Sequence, residues 1–393
     1  MSGAAPASQP SPRRILVRGV NWLGDAVMAT PALLRLRERF AEAHITLLTP
    51  AKLCDLSLQH PAINEILTFQ TGEELFAVSR KLRDGRFDLA LVLPNSPRAA
   101  LEIWLARIPQ RVGIARPWRS WFLTHPVPAH AGAAEMRKRS VGEIQRLVRD
   151  ANIQHPVSSI QHPPAAHQCH HYLYLVAALG ADPTPLAPRL VVTDAEVAEV
   201  AAKFGLADAT NNSPVLLGLN PGAEYGPAKR WPAERFVGVT AYVQRHAHCR
   251  WVVFGGPADA ALAEKIAADI RYETERPPTF GKVSPDLAVA NLAGKTSLRE
   301  LMALLKLCRV LVTNDTGPMH VAAALGTPVV ALFGSTSPEL TAPGLPGDPR
   351  HALLKSDAPC APCFLRECPI DFRCMKSISV ERVAAAVMET LNC

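Results

Sequence analysis

Residues 310–334 read VLVTNDTGPMHVAAALGTPVVALFG. An apolar run, a turn at Asp315-Thr316-Gly317-Pro318, a short helical segment, a stop at Gly326 and a second apolar run make one strand–turn–helix–strand unit. Strands apolar on both faces belong inside a parallel α/β sheet, whose helices cover both sides. The turn then lies at the carboxyl end of the first strand, where open α/β sheets bind ligands. The amides of a helix N-terminus favour phosphate or sugar oxygens there. His320, one turn into the helix, can face the same place. The plainer reading makes Asp315 or Thr316 an N-cap and His320 a packed core residue. The cluster Asp-Thr-Gly-Pro-x-His at one strand end favours the ligand reading.

The rest of the chain repeats this alternation. Arg14–Gly19 reads as a strand, followed by a glycine-bearing turn and an amphipathic helix, and His44–Pro50 as the next strand. Ile63–Phe69 and Leu89–Pro94 are further strands, with helices at Glu73–Arg83 and Asn95–Ile108. Ser140–Arg149 is helical. Residues 152–171, rich in Pro, His and Ser, read as an irregular loop; its His170-His171 pair is a weak metal candidate. A helix at Tyr172–Leu179 and a strand-like RLVV at 189–192 lead to a helix ending near Gly205. Residues 206–214 have linker composition. A second alternation follows: strand Val215–Asn220, helix Ala233–Arg245, strand Arg250–Phe254, helix Ala258–Ile270 and helix Leu298–Leu307. Ser379–Leu391 is the last helix. At about 150 residues per domain, 393 residues accommodate two such halves. The expected division is a disordered tail at 1–13, a first α/β domain at 14–205, a second at 206–378, and a closing helix at 379–393.

Composition narrows the class. A net charge of +7 suits an anionic partner without choosing one. No apolar run reaches the length of a membrane span, and the first dozen residues lack the apolar core of a signal peptide. This predicts a cytoplasmic protein. Nine cysteines there read as thiols or metal ligands rather than disulfides.

Four turns at strand ends can carry chemistry. In Arg18-Gly19-Val20-Asn21-Trp22-Leu23-Gly24-Asp25, Gly24 permits a close approach and Asp25 opens a helix, either as a favourable first-turn charge or as a general base. In residues 220–232, NPGAEYGPAKRWP, the backbone around Gly222 and Ala223 and the Lys229 ammonium can meet a diphosphate. Gly255-Gly256 with Asp259 can approach a ribose, or is a plain turn. Asn291–Ser297 offers small residues, unless Thr296 or Ser297 only caps the next helix. No G-x-G-x-x-G follows the first strand and no Walker A loop is present. Cys360, Cys363, Cys368 and Cys374, spaced C-x2-C-x4-C-x5-C, can satisfy a structural zinc or iron.

Together, the Gly24-Asp25 turn, PGAEYGPAKRWP, NLAGKTSLREL and NDTGPMHVAAALGTPVVALFGSTSPELTAP resemble the lipopolysaccharide heptosyltransferases of glycosyltransferase family nine, most closely their heptosyltransferase II branch. The resemblance spans residues 13–391. It implies a GT-B fold, two Rossmann-like domains facing across a cleft, the closing helix packing back on the first. It implies inverting transfer of L-glycero-D-manno-heptose from ADP-heptose to the first heptose of the inner core, on Kdo2-lipid A. By the same likeness Asp25 is the catalytic base and Lys229 neutralises the diphosphate. Gly222, Ala223, Asp259, Thr296, Asp315, Thr316, Gly317 and His320 hold the donor. Arg18, Asn21, Gly24 and Arg98 are acceptor-side candidates. Arg116, Arg119 and the Arg137-Lys138-Arg139 cluster are candidates for the anionic acceptor or the inner membrane face, or are solvated surface charges. Trp118 and Trp121 are membrane or sugar contacts, or core. The scheme requires no divalent metal, and the cysteine loop is outside it. Two alternatives stay open: a family member with another sugar or acceptor, and a non-catalytic nucleotide- or metal-binding protein.

Overall fold

The computed structural model describes residues 11–130, 136–151, 166–206, 213–275 and 288–392. The tail before residue 11, most of the His-rich stretch (152–165) and most of the expected linker (207–212) lie outside them. The chain forms two compact units. One comprises Met1–Trp22, Ala29–Ala131 and Cys169–Pro185; the other comprises Leu23–Met28, Gly132–Gln168 and Leu186–Cys393.

The first unit carries a parallel sheet of β1 (Arg14–Arg18), β2 (His44–Pro50), β3 (Glu65–Phe69), β4 (Leu89–Val92), β5 (Gln110–Ile114) and β6 (His125–Val127). Its order is β3-β2-β1-β4-β5-β6. The central strands are apolar on both faces because helices cover both. Leu16, Leu48, Val78, Leu82, Ala90, Val92 and Ile103 form one such buried layer, between the sheet and the helices Leu75–Asp84 and Pro97–Leu105.

The second unit repeats the plan with β7 (Val215–Asn220), β8 (Cys249–Val253), β9 (Val289–Asn291), β10 (Val310–Asn314), β11 (Val329–Phe333) and β12 (Ala352–Lys355), in the order β12-β11-β10-β7-β8-β9. Every pairing is parallel. Renumbered from its own first strand, this is the order of the first sheet. The residues of β10 and β11 are all buried, as the uninterrupted apolar runs required. The helix Leu298–Leu307 starts on a capping box, Ser297 Oγ accepting from Glu300 N while Glu300 accepts from Ser297 N. The final helix, Val380–Asn392, packs on the helix Ala233–Gln244 and on β10–β12 of this same unit.

Two sequence expectations fail. RLVV is not a strand: Val191 and Val192 direct their carbonyls to Arg299 and Lys306 side chains instead of a neighbouring strand. Residues 168–171 are not loop but the first turn of the helix Gln168–Ala177, so His170 and His171 are helical.

Candidate functional site

Each sheet reverses its strand order once, between β1 and β4 in one unit and between β7 and β10 in the other. Loops leave the carboxyl ends of two such neighbours in opposite directions, opening a crevice that ligands occupy. The candidate residues collect at these two places.

In the second unit, β7 ends on Asn220 and β10 on Asn314, both buried. Asn314 Nδ2 donates to Pro221 O at 2.8 Å and to Gly222 O at 3.3 Å, and its Oδ1 accepts from Trp231 N at 3.1 Å. Asn220 Nδ2 donates to Thr313 Oγ1 at 3.1 Å and Thr316 Oγ1 at 2.9 Å. These two amides fix the loops that carry Lys229 and Asp315. Sequence reasoning passed over both, although a polar residue closing an apolar strand was the available signal.

Lys229 Nζ then donates to Asp315 Oδ2 at 2.8 Å and to Asp315 O at 3.2 Å. An ammonium has three N–H groups, so this pairing leaves one for a ligand. Burial pushes the Asp315 carboxyl up, but the Lys229 charge and hydrogen bond outweigh it and hold the group below the ordinary carboxylate range. Thr316 occupies the N-cap position of the helix Gly317–Ala324, yet its side chain does not cap the helix; it accepts from Asn220 instead. The plain capping role is thereby excluded for Thr316.

Asp259 sits between the loops after β7 and β8. Its carboxylate accepts from Gly256 N at 3.2 Å and lies 3.4 Å from Arg230 Nη2. A Cβ on Gly222 would fall 2.4 Å from that carboxylate, so only glycine fits. Ala223 is buried beside it. Gly294 N donates to Gly255 O at 2.9 Å, joining the loop that carries Thr296 to the Gly255-Gly256 turn. Ser297, not Thr296, is the helix cap.

The short helix Leu23–Met28 belongs to this unit and packs on the start of the helix Gly317–Ala324. A Cβ on Gly317 would come within 2.8 Å of Leu23 Cβ, and one on Gly24 within 2.8 Å of His320 Cδ2. Both glycines are needed for this approach, which places Asp25, in the first turn of its helix, one residue from the His320 contact. His320 is 4% exposed, with Nδ1 unpartnered among the described residues. Burial lowers its pKa to about 4. At neutral pH it is an uncharged imidazole.

In the first unit, Arg18, Asn21, Trp22, Lys52, Phe69 and Arg98 help line a cavity of about 340 Å³ at the β1/β4 reversal. Arg18 is no surface charge: it is 3% exposed, with Nε donating to Glu102 Oε2 at 3.0 Å and its guanidinium 4.3 Å from the centre of the Phe69 ring. Arg98 Nε donates to the other Glu102 oxygen at 3.0 Å. The fully buried Glu102 thus orients two guanidinium groups toward one cavity. Lys52 and Glu102 were absent from the sequence reading, and Trp22 stood there only as a member of the Gly24-Asp25 turn. Gly24 does not line this cavity; it makes room for His320.

Other expectations change. Arg119 is fully buried and Arg139 9% exposed, so neither is a solvated charge. Arg139 N donates to Cys363 O at 3.1 Å and its Nη1 to Pro359 O at 3.2 Å, bracing the cysteine loop. Trp118 and Trp121 are 73% and 76% exposed, which overturns the core reading. Cys360, Cys363 and Cys374 are buried and Cys368 half-buried. Among the described residues no three His, Cys, Asp or Glu side chains are grouped as a metal-ligand set.

Two buried histidines and the half-buried His171 set a pH dependence. Burial holds His60, His171 and His320 each at about 4, against 6.5 for an ordinary imidazole. Between those values the unfolded chain takes up protons that the folded chain refuses. Stability is therefore full above pH 6.5 and falls toward pH 4, by about 2 kcal/mol per histidine at pH 5. Urea denaturation at pH 7.5 and pH 5 measures this; coincident midpoints would contradict it.

The profile of the family described as Glycosyltransferase family 9 (heptosyltransferase) matches residues 149–372. Lipopolysaccharide heptosyltransferase 2 of Salmonella typhimurium is 31% identical over 337 residues, covering 84% of this chain and 85% of that protein. The protein of the same name from Escherichia coli is 31% identical over 338 residues, with the same coverage. The structure of E. coli ADP-heptose lps heptosyltransferase II superposes with a TM-score of 0.73 at 27% identity, covering 96% of this chain and 98% of that one.

Proposed function

The chain belongs to glycosyltransferase family 9, the heptosyltransferases, and from that premise we propose that it moves L-glycero-D-manno-heptose from ADP-heptose to the first heptose of the lipopolysaccharide inner core. It is a glycosyltransferase of the GT-B fold. Relatives named lipopolysaccharide heptosyltransferase 2, matched over 85% of their length, support the acceptor class, and the ADP-heptose named for the similar E. coli structure supports the donor.

One observation carries the mechanistic reading. The Lys229–Asp315 pair lies at the β7/β10 reversal, next to the start of the helix Gly317–Ala324, and the helix bearing Asp25 packs on that same start. Inversion takes a single in-line displacement at the anomeric carbon. The acceptor oxygen forms the new bond as the bond from that carbon to the phosphate oxygen breaks. Asp25 takes the acceptor hydroxyl proton. Charge develops on the departing ADP, where the third N–H of Lys229 and the helix-start amides stabilise it. Asp315 keeps Lys229 in place, and Thr316, Gly317 and neutral His320 complete the donor turn. Gly222, Ala223, Asp259 and Thr296 surround the nucleotide. This scheme uses no metal. Arg18, Asn21 and Arg98 hold the anionic acceptor in the first unit.

The test is a mass-spectrometric transfer assay with ADP-heptose and truncated core acceptors. A heptose added to heptosyl-Kdo2-lipid A supports the proposal; transfer only to another acceptor, or of another sugar, replaces it with a sister activity.

No described helix is long and apolar enough to cross a membrane. We propose that the enzyme meets its lipid-linked acceptor by peripheral contact with the inner face of the inner membrane. The four-cysteine loop is proposed as a structural zinc or iron site on its spacing alone. Elemental analysis of the purified protein decides: stoichiometric metal supports the site, and metal-free folded protein rejects it.

A further inference from the structure

The loop between β5 and β6 spends buried interactions on presenting two tryptophans to solvent. Arg119 is fully buried, with its guanidinium donating to the carbonyls of Ile114, Val92 (3.2 Å) and Pro94 (2.7 Å) at the ends of β5 and β4. A Cβ on Gly113 would fall 2.7 Å from Arg119 Nη2, so β5 has a glycine where this cation passes. Ser120 closes the loop, its Oγ accepting from Arg116 N at 3.1 Å and donating to Arg116 O at 3.0 Å. Trp118 has a φ of +62°, a left-handed conformation disfavoured for a bulky side chain. A loop pinned this firmly is not exposing Trp118 and Trp121 through slackness.

We propose that Trp118 and Trp121 are a membrane anchor, the part of the first unit that docks on an anionic phospholipid surface. The inference rests on the lipid-linked acceptor proposed above. Indole rings prefer the interface between headgroups and acyl chains. The two rings meet edge to face, with centroids 5.6 Å apart and planes at 74°. That arrangement makes a wedge, not a flat platform for a sugar ring. Trp104, 46% exposed and 5.8 Å from the Phe122 ring, extends the apolar surface. Charge selects the lipid: residues 103–127 hold four arginines and no Asp or Glu, and Arg107 and Arg116 are exposed. Anionic headgroups attract such a segment.

Sedimentation of the full-length protein with vesicles tests this, using phosphatidylcholine alone and phosphatidylcholine mixed with phosphatidylglycerol. Wild type is expected to bind the mixed vesicles more strongly. The double variant Trp118→Asn/Trp121→Ser should lose at least about tenfold in partitioning while binding ADP as before. Asn tolerates the left-handed backbone and both positions are exposed, so the fold should stand. Arg116→Glu should weaken binding only to the mixed vesicles, by roughly fivefold. The proposal is overturned if the double variant partitions like wild type or if wild type binds neither vesicle. It is also overturned if the double variant loses self-association, or raises KM for a lipid-free saccharide, in place of losing vesicle binding. Wild-type protein that docks through the tryptophans but transfers no heptose would leave this inference standing and remove the functional one.

Discussion

A protein carrying Asp25→Asn is expected to transfer heptose about a thousand times more slowly than wild type, the middle of the range for losing a general base. ADP should still bind within a few-fold, because the donor contacts lie on other segments. Asparagine is the informative replacement. It keeps the shape of the first turn of the helix Leu23–Met28, and with it the packing of Gly24 on His320. Alanine removes the carboxylate too, but a fall in its rate could come from repacking. Turnover near the wild-type rate in Asp25→Asn would remove Asp25 from the chemistry.

The second large effect is expected at Lys229. Lys229→Ala should weaken donor binding and lower turnover together, because the ammonium meets the diphosphate both before and during the displacement. It should also destabilise the fold. Asp315 is 3% exposed and its side chain lies 2.8 Å from Lys229 Nζ. Taking away one partner of a buried pair costs about 3–5 kcal/mol. The sign with pH follows from the carboxyl. Paired, Asp315 titrates below the ordinary range and its contribution is lost only as pH falls through that low value. Unpaired, burial alone raises it, so the variant should regain stability as acid protonates the carboxyl. Lys229→Ala/Asp315→Asn should recover much of the stability and none of the donor binding. Calorimetry of ADP binding beside denaturant melts separates the two effects. A single variant as stable as wild type would mean that the pair is not held as the structure places it.

Much of this architecture was legible because its signals are local. The apolar runs at 215–220 and 310–314 could only be interior strands, and they are β7 and β10. The helix Leu298–Leu307 was read at its observed bounds, and of its two capping candidates Ser297 is the cap. What stayed hidden depends on partners distant in sequence. β6 is three residues with a proline, and β5 and β12 carry polar residues at sheet positions, so none shows a strong pattern alone. RLVV shows one, but side chains from the helix Leu298–Leu307 take its carbonyls. Glu102 reads as an ordinary helix charge until the fold sets Arg18, 84 positions earlier, against it. Arg119, between two tryptophans, reads as surface until β4 and β5 supply three carbonyls. For the site, the types of residue were visible and their pairing was not: Lys229 and Asp315 stand 86 positions apart.

The placing of residues 23–28 with the second unit has a practical consequence for anyone dividing the gene. The polypeptide leaves the first unit after Trp22, contributes one short helix to the second, and returns at Ala29. A fragment ending at Pro185 would carry that helix without its bed, and a fragment starting at Leu186 would carry the bed without the helix. Neither half, expressed alone, would assemble the neighbourhood of Asp25. Reconstitution from two pieces should therefore show an activity that depends on mixing them.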